Sequence, residues 1–326
     1  MSRPVVSVGN LRAGGTGKTP AVAHLARLLV TWGERPAILS RGYGRRVETN
    51  GVTVVSDGTQ IRASLDTAGD EPLMLARALS GVPVLVGADR YLSGQVAEER
   101  FGATVHLLDD GFQHLTLARD VDLLMVSEED LTDRVLPAGY LREPLEAAAS
   151  ADALLVTAGY ESAAARVGRA LGVSTTFLVS RGIGAPRMVE SGEPVVVPFG
   201  DAVFVVAGIA RAERFVSDIA TAGWHVAGTL EFRDHHQYSQ RDVEKIIERA
   251  KSVRPAIVLT TDKDAVRLSA CDLTGLPIAA VPLELSIEPA DQFKRWLLER
   301  LRVARTLNRE PGTPNPEPGT QNPAGQ

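Results

Sequence analysis

The run Gly14-Gly15-Thr16-Gly17-Lys18-Thr19-Pro20 follows a short apolar stretch at 5–8 and precedes Ala23, Leu25, Ala26, Leu28 and Leu29 at helical spacing. A strand, a glycine-rich turn and a helix in that order make a phosphate cradle. The glycines let successive N–H groups point inward, a lysine reaches a terminal phosphate, and a threonine hydroxyl can ligate magnesium. The helix N-terminus adds its positive dipole end. Nucleoside triphosphate chemistry is expected, with Gly14, Gly15, Thr16, Gly17, Lys18 and Thr19 holding the nucleotide. The loop departs from the common G-x-x-x-x-G-K-[ST] spacing, since Arg12 stands where the first glycine belongs. The alternative reading, a P-loop ATPase switch of the partitioning or metal-insertion type, would carry a lysine at position 13, where this chain has Ala13.

Apolar runs at 5–8, 37–39, 82–86, 105–108 and 121–126 alternate with helical patterns, the signature of βαβ units. The expected fold class is α/β: a P-loop NTPase-like, mainly parallel sheet flanked by helices, with a second, smaller α/β domain. Strands at 153–156, 203–206 and 257–259, and a helix at 212–222 closed by Gly223, belong to that second domain. The domains are expected at 1–150 (nucleotide binding and catalysis) and 151–306 (a contribution to the cleft). Residues 307–326 hold five prolines and three glycines and read as a disordered tail. The net charge of -5 argues against a general nucleic-acid coat, and the lone Cys271 excludes an intrachain disulfide. The apolar stretch at 202–210 falls well short of the roughly 20 residues that span a bilayer.

Four further clusters carry chemistry. Residues 104–108 form an apolar strand that ends in Asp109 and Asp110, carboxylates suited to a magnesium–phosphate site. Strand pleating sends neighbours to opposite faces, so both can face the metal only if the strand ends between them. Asp70, in Gly69-Asp70-Glu71-Pro72, reads either as a helix N-cap or as the carboxylate that accepts a proton in phosphoryl transfer to a hydroxyl. Arg233-Asp234-His235-His236 lacks zinc spacing and suits a loop facing the cleft. Arg41, in the basic loop 40–46, can clamp an anion.

Together these residues resemble the tetraacyldisaccharide 4'-kinase family. The stretches that carry the resemblance are 8–10, 14–20, 40–43, 69–72, 109–114, 136–139, 141–144, 234–235 and 261–264, in family order. The resemblance implies a lipid kinase that uses ATP and Mg2+ to phosphorylate the 4'-hydroxyl of tetraacyldisaccharide 1-phosphate, a lipid A precursor. It acts peripherally at the cytoplasmic face of the inner membrane, with no nucleic acid and no obligate protein partner. It further implies Asp70 as catalytic base, His235 as its partner, Lys18 as a catalytic cation, and Thr19, Asp109 and Asp110 as metal ligands. Arg41, Arg90, Arg142 and Lys263 are implied as substrate contacts. The family usually begins with an N-terminal hydrophobic and basic segment that docks on the membrane. Either the start of this sequence is truncated, or exposed apolar residues near Tyr91-Leu92 or Tyr140-Leu141 are expected to meet the lipid surface.

Overall fold

Runs of valine and leucine without polar alternation fit strands covered by helices on both faces, and the main sheet has that form. The computed structural model describes residues 1–48, 50–158 and 160–308. The chain opens with β1 (Val5–Asn10), α1 (Lys18–Thr31), β2 (Pro36–Ser40), β3 (Thr53–Asp57), the short α2 (Leu65–Ala68) and α3 (Asp70–Ala78). It continues through β4 (Pro83–Val86), α4 (Arg90–Phe101), β5 (Val105–Asp109), β6 (Val121–Ser127), β7 (Ala153–Thr157), α5 (Glu161–Leu171) and β8 (Thr176–Ile183). A second sheet follows, from β9 (Arg187–Met188), β10 (Ala202–Ala207), α6 (Ala212–Thr221), β11 (His225–Glu231), α7 (Gln240–Val253), β12 (Ile257–Thr261), α8 (Asp262–Leu268) and β13 (Ile278–Val281). The chain then returns to the first sheet with β14 (Leu283–Glu288) and α9 (Ala290–Leu307).

The first sheet has the order β14-β8-β7-β6-β1-β5-β2-β4-β3, antiparallel only at its two edge strands. β1 lies at its centre between β5 and β6, and the register sets Val8 beside Asp109. That register brings the glycine loop and the two carboxylates to the same carboxyl-terminal edge, where ligands of open α/β sheets sit. The second sheet has the order β11-β10-β12-β13-β9, parallel except for β9. Its faces bury Phe215 and Ile219 of α6 on one side, and Val243 and Ile246 of α7 on the other.

The expected boundary at residue 150 falls within the first sheet. β7 pairs in parallel with β6, and β8 with β7, so the strand at 153–156 extends that sheet instead of founding a second one. An apolar run shows that a strand exists, not which strand it joins. The second unit is thus an insertion over residues 187–281, after which α9 closes the first core. Helix α9 runs to Leu307 with Asn308 as its C-cap, so the expected tail at 307–326 starts too early; its residues 309–326 lie outside the described residues.

The spacing of Phe293, Leu297 and Leu301 makes one apolar stripe on α9, and all three are fully buried. Phe293 meets the Phe177 ring edge-on at 4.9 Å. Phe293→Ala should therefore destabilise the protein by about 3–5 kcal/mol, read as a lower urea midpoint for the first unit.

Candidate active site

The loop after β1 is organised from Asn10, whose buried amide has three partners. Nδ2 donates to the Arg12 carbonyl (2.6 Å) and to Thr16 Oγ1 (2.8 Å), and Oδ1 accepts from Lys18 Nζ (2.7 Å). Gly14 and Gly17 lie at φ 103° and 90°, a region that other residues rarely adopt. Gly17 is the N-cap of α1 and no side chain caps that end, so the helix's first amides face the loop. Arg12, the departure from the common spacing, has a structural role of its own. Its guanidinium lies 3.4 Å from Asp130, 3.3 Å from Asp133 and 4.8 Å above the Tyr140 ring, and its backbone bridges to Leu141. The loop is anchored by these contacts to the segment at 130–141.

The strand ends between the two aspartates, since Asp110 takes φ 56°. Asp109 is buried, and its Oδ2 accepts from Thr19 Oγ1 at 3.3 Å. Its Oδ1 is buried with no hydrogen-bond partner. Burial, followed by Glu71, pushes its carboxyl up to about 7, against the pull of Lys18. Asp110 turns instead to Lys18 Nζ (3.2 Å) and to Arg142 Nη1 (2.9 Å), and Arg142 also reaches Gln113 Oε1 at 3.3 Å. An orphaned carboxylate oxygen beside a threonine hydroxyl fits a hard, oxygen-seeking dication, so Asp109 and Thr19 are the better placed of the expected metal ligands. Burial also lowers the Lys18 pKa, with Asp110 opposing.

Asp70 is the first residue of α3, not its N-cap; that position belongs to Gly69 at φ 84°. A Cβ on Gly69 would lie 2.7 Å from the Tyr43 carbonyl, so glycine lets the loop at 40–43 pack here. Asp70 Oδ1 accepts from the Glu71 amide (3.0 Å). Oδ2 takes His235 Nδ1 (3.1 Å), Arg267 Nε (3.1 Å) and Arg267 Nη2. Burial works to raise the Asp70 pKa, but His235, Lys263 and Arg267 outweigh it and hold the carboxyl well below the usual range. His235, itself at φ 57°, meets the Tyr43 ring edge-on, and Lys263 Nζ bridges Glu71 Oε1 (3.0 Å) and His235 Nε2 (3.3 Å). The neighbouring His236 belongs elsewhere, stacked on Phe232 and bonded to Asp242. No sequence motif contained Arg267. The available signal was a cation at i+3 from Asp264, set among Ala265, Val266 and Leu268.

Arg90 is buried and donates to the Ala88 carbonyl at 2.7 Å, and its pKa is lowered by burial and then by the Arg41 cation. His114 is lowered likewise, by burial and then by Arg90, Arg119 and Arg41. Arg41 and Arg90 thus form one basic patch beside His114. Tyr43, Tyr91, Leu92 and Leu115 are exposed. Leu141 is not: it is buried under the Arg12 bridge, so of the expected apolar pair at 140–141 only Tyr140 faces solvent. Beside Gly15 and Gly17, a cavity of about 220 Å³ is lined by Ser127, Arg181, Arg211 and Arg214, and Arg181 Nε is buried there without a partner.

A phosphate loop, a carboxylate poised for a dication and a carboxylate–imidazole pair define a kinase of the P-loop class. The chain belongs to the tetraacyldisaccharide-1-P 4'-kinase family, whose model it matches over residues 1–302. The tetraacyldisaccharide 4'-kinase of Syntrophus aciditrophicus is 36% identical over 315 residues, covering 91% of this chain and 84% of that one. The enzyme of the same name from Geobacter metallireducens is 40% identical over 292 residues, covering 88% and 85%. The crystal structure of LpxK from Aquifex aeolicus in complex with ATP has a TM-score of 0.73 and 33% identity, covering 92% of this chain and 89% of that one.

Asp109 supplies a pH test. Its ordinary pKa of 3.8 is raised to about 7, so between those values the folded, ligand-free protein holds a proton that the unfolded chain has lost. This contribution to stability is lost as pH rises through about 7. Asp109→Asn, which mimics the protonated form, should raise the melting temperature in chelator well above pH 7, and the gap should close toward pH 5. A gap independent of pH would contradict this assignment.

Proposed function

We propose that this chain transfers the γ-phosphate of ATP to the 4'-hydroxyl of tetraacyldisaccharide 1-phosphate, the lipid A precursor. The observation that carries the reading is the Asp70–His235 pair, since an ATPase switch has no use for a carboxylate held ready for a sugar hydroxyl. The absence of a lysine at position 13 points the same way. The cavity bounded by Gly15, Arg181, Arg211 and Arg214 takes the adenosine end, and the amides of the loop and of the α1 N-terminus hold the phosphates. Lys18 leaves Asp110 for the transferred phosphoryl group, and Arg142 keeps Asp110 paired when it does. Thr19 and Asp109 would hold magnesium, with Asp110 close by. Magnesium bound there offsets the charge on the phosphate oxygens.

Asp70 Oδ1 accepts a single backbone amide and keeps a lone pair for the substrate hydroxyl, while Oδ2 is saturated by His235 and Arg267. A carboxylate with so low a pKa is a weak base. In a loose phosphoryl-transfer transition state, placing the hydroxyl in line outweighs basicity, and His235 steadies the carboxylate as the proton arrives. Arg90, Arg41 and Lys263 contact the substrate's anionic headgroup. Among the described residues no helix is long and apolar enough to cross a membrane. Tyr91, Leu92 and Leu115, exposed apolar residues of the same unit as the basic patch, face the lipid, so that the protein docks peripherally at the cytoplasmic face of the inner membrane.

ATP, magnesium and tetraacyldisaccharide 1-phosphate in detergent should yield a bisphosphate resolved by chromatography. Lys18→Ala should lower the rate on the order of 10²-fold or more, through lost phosphate stabilisation. Full activity in Asp70→Ala, or hydrolysis of ATP without a phosphorylated lipid, would overturn the reading. Arg90→Ala should raise KM for the lipid more than KM for ATP.

A further inference from the structure

Arg267 lies on α8 in the second unit and is 1% exposed. A buried guanidinium is costly unless its donors are matched, and here they are divided between the two units. Nη1 donates to the Gly208 carbonyl (3.1 Å) and to Asp264 Oδ1 (3.3 Å). Nε donates to Asp70 Oδ2 (3.1 Å), and Nη2 to the same oxygen. Asp264 is fully buried and fixed in turn by Thr261 Oγ1 (2.7 Å), the Gly208 amide (3.0 Å) and the Tyr238 hydroxyl (3.0 Å). The guanidinium therefore cannot follow Asp70 if that carboxylate rotates. Asp70 is held to the geometry that the second unit dictates.

We propose that Arg267 is a positioning residue for phosphoryl transfer: clamped by Asp264 and Gly208, it fixes the rotamer and charge of Asp70 and makes the base competent only while the two units are docked. This rests on the reading of Asp70 as the proton acceptor. Asp70 is faced by Glu71 on its own helix, by His235 from the loop at 232–239, and by Lys263 and Arg267 from α8. Asp264 stands behind Arg267, and Tyr238 stays neutral, since burial and Asp264 push its hydroxyl far above the ordinary value. Lys263 and His235 also favour the ionised carboxyl, but Lys263 is shared with Glu71, and His235 lies on a half-exposed loop. Arg267 is the buried cation among the three. Its loss raises the Asp70 pKa, so the carboxyl titrates at a higher pH.

The test measures kcat and KM of wild type, Arg267→Lys and the double variant Arg267→Met with Asp264→Asn at about pH 7.5, and the Asp70 carboxyl titration by 13C NMR from about pH 2 to 6, beside melting temperatures. The second substitution avoids stranding Asp264 as an unpaired buried charge. In the double variant kcat should fall about 10²-fold and the Asp70 titration should move up by about one pH unit or more, with KM for ATP changed less than about threefold. Arg267→Lys keeps the charge but not the fork, so the Asp70 titration should stay in place while kcat falls about tenfold. An unchanged kcat, a fall with the Asp70 titration unmoved in the double variant, or a fall that tracks loss of folded protein overturns the proposal. If the double variant does not fold, Arg267→Lys decides: wild-type kcat overturns the proposal, and the tenfold loss with intact KM for ATP supports it. A wild type that makes no bisphosphate overturns the kinase reading, and this proposal falls with it.

Discussion

A carboxylate and a guanidinium that are both buried must meet, and in this chain they come from different folding units. Asp70 stands at the start of α3 beside the phosphate loop, Arg267 on α8 of the inserted unit, and the two are joined where α3 packs on α8. Removing either partner while the units stay docked would leave a desolvated charge poorly paired, which is far costlier than losing an exposed pair. His235 and Lys263 reach Asp70 and Glu71 through the same contact. The half proposed to accept the proton therefore exists only as a product of docking, whereas the half proposed to bind phosphate is complete within the first sheet.

That phosphate-binding half shows how a departure from a motif is absorbed. A glycine at position 12 could not hold the loop as the Arg12 side chain does, through two aspartates and a tyrosine ring. Asn10 takes over the inner bracing, tying the loop backbone at Arg12 to Thr16 and Lys18. Three of its bonds fix the loop before any phosphate arrives. Preorganisation of this kind reduces the reorganisation left for the moment of reaction.

What the sequence made legible was local. The glycine loop, its flanking strand and helix, and the strand ending in Asp109 and Asp110 are each set by adjacent residues, and all lie where the pattern put them. Strand partners are not local, which is why 153–156 looked like the start of a second domain while β7 in fact extends the first sheet. The same limit hid Leu141, whose burial depends on a bridge to Arg12 far earlier in the chain. Arg267 was hardest to see. On sequence it is one cation in a short helix, and only its encounter with Asp70, nearly two hundred positions earlier, gives it a role. The Asp70–His235 pairing came from resemblance and not from spacing, and its 3.1 Å contact now gives that pairing a geometry.

The central claim is that Asp70 and His235 act as one unit across the interface, and a double-mutant cycle on kcat/KM for lipid phosphorylation tests it most directly. Groups that act together are strongly non-additive. If they form one proton-accepting device, Asp70→Asn combined with His235→Ala should be little slower than the slower single variant. Losses that multiply, so that each substitution costs as much with its partner absent as with it present, would show two independent groups and contradict the account.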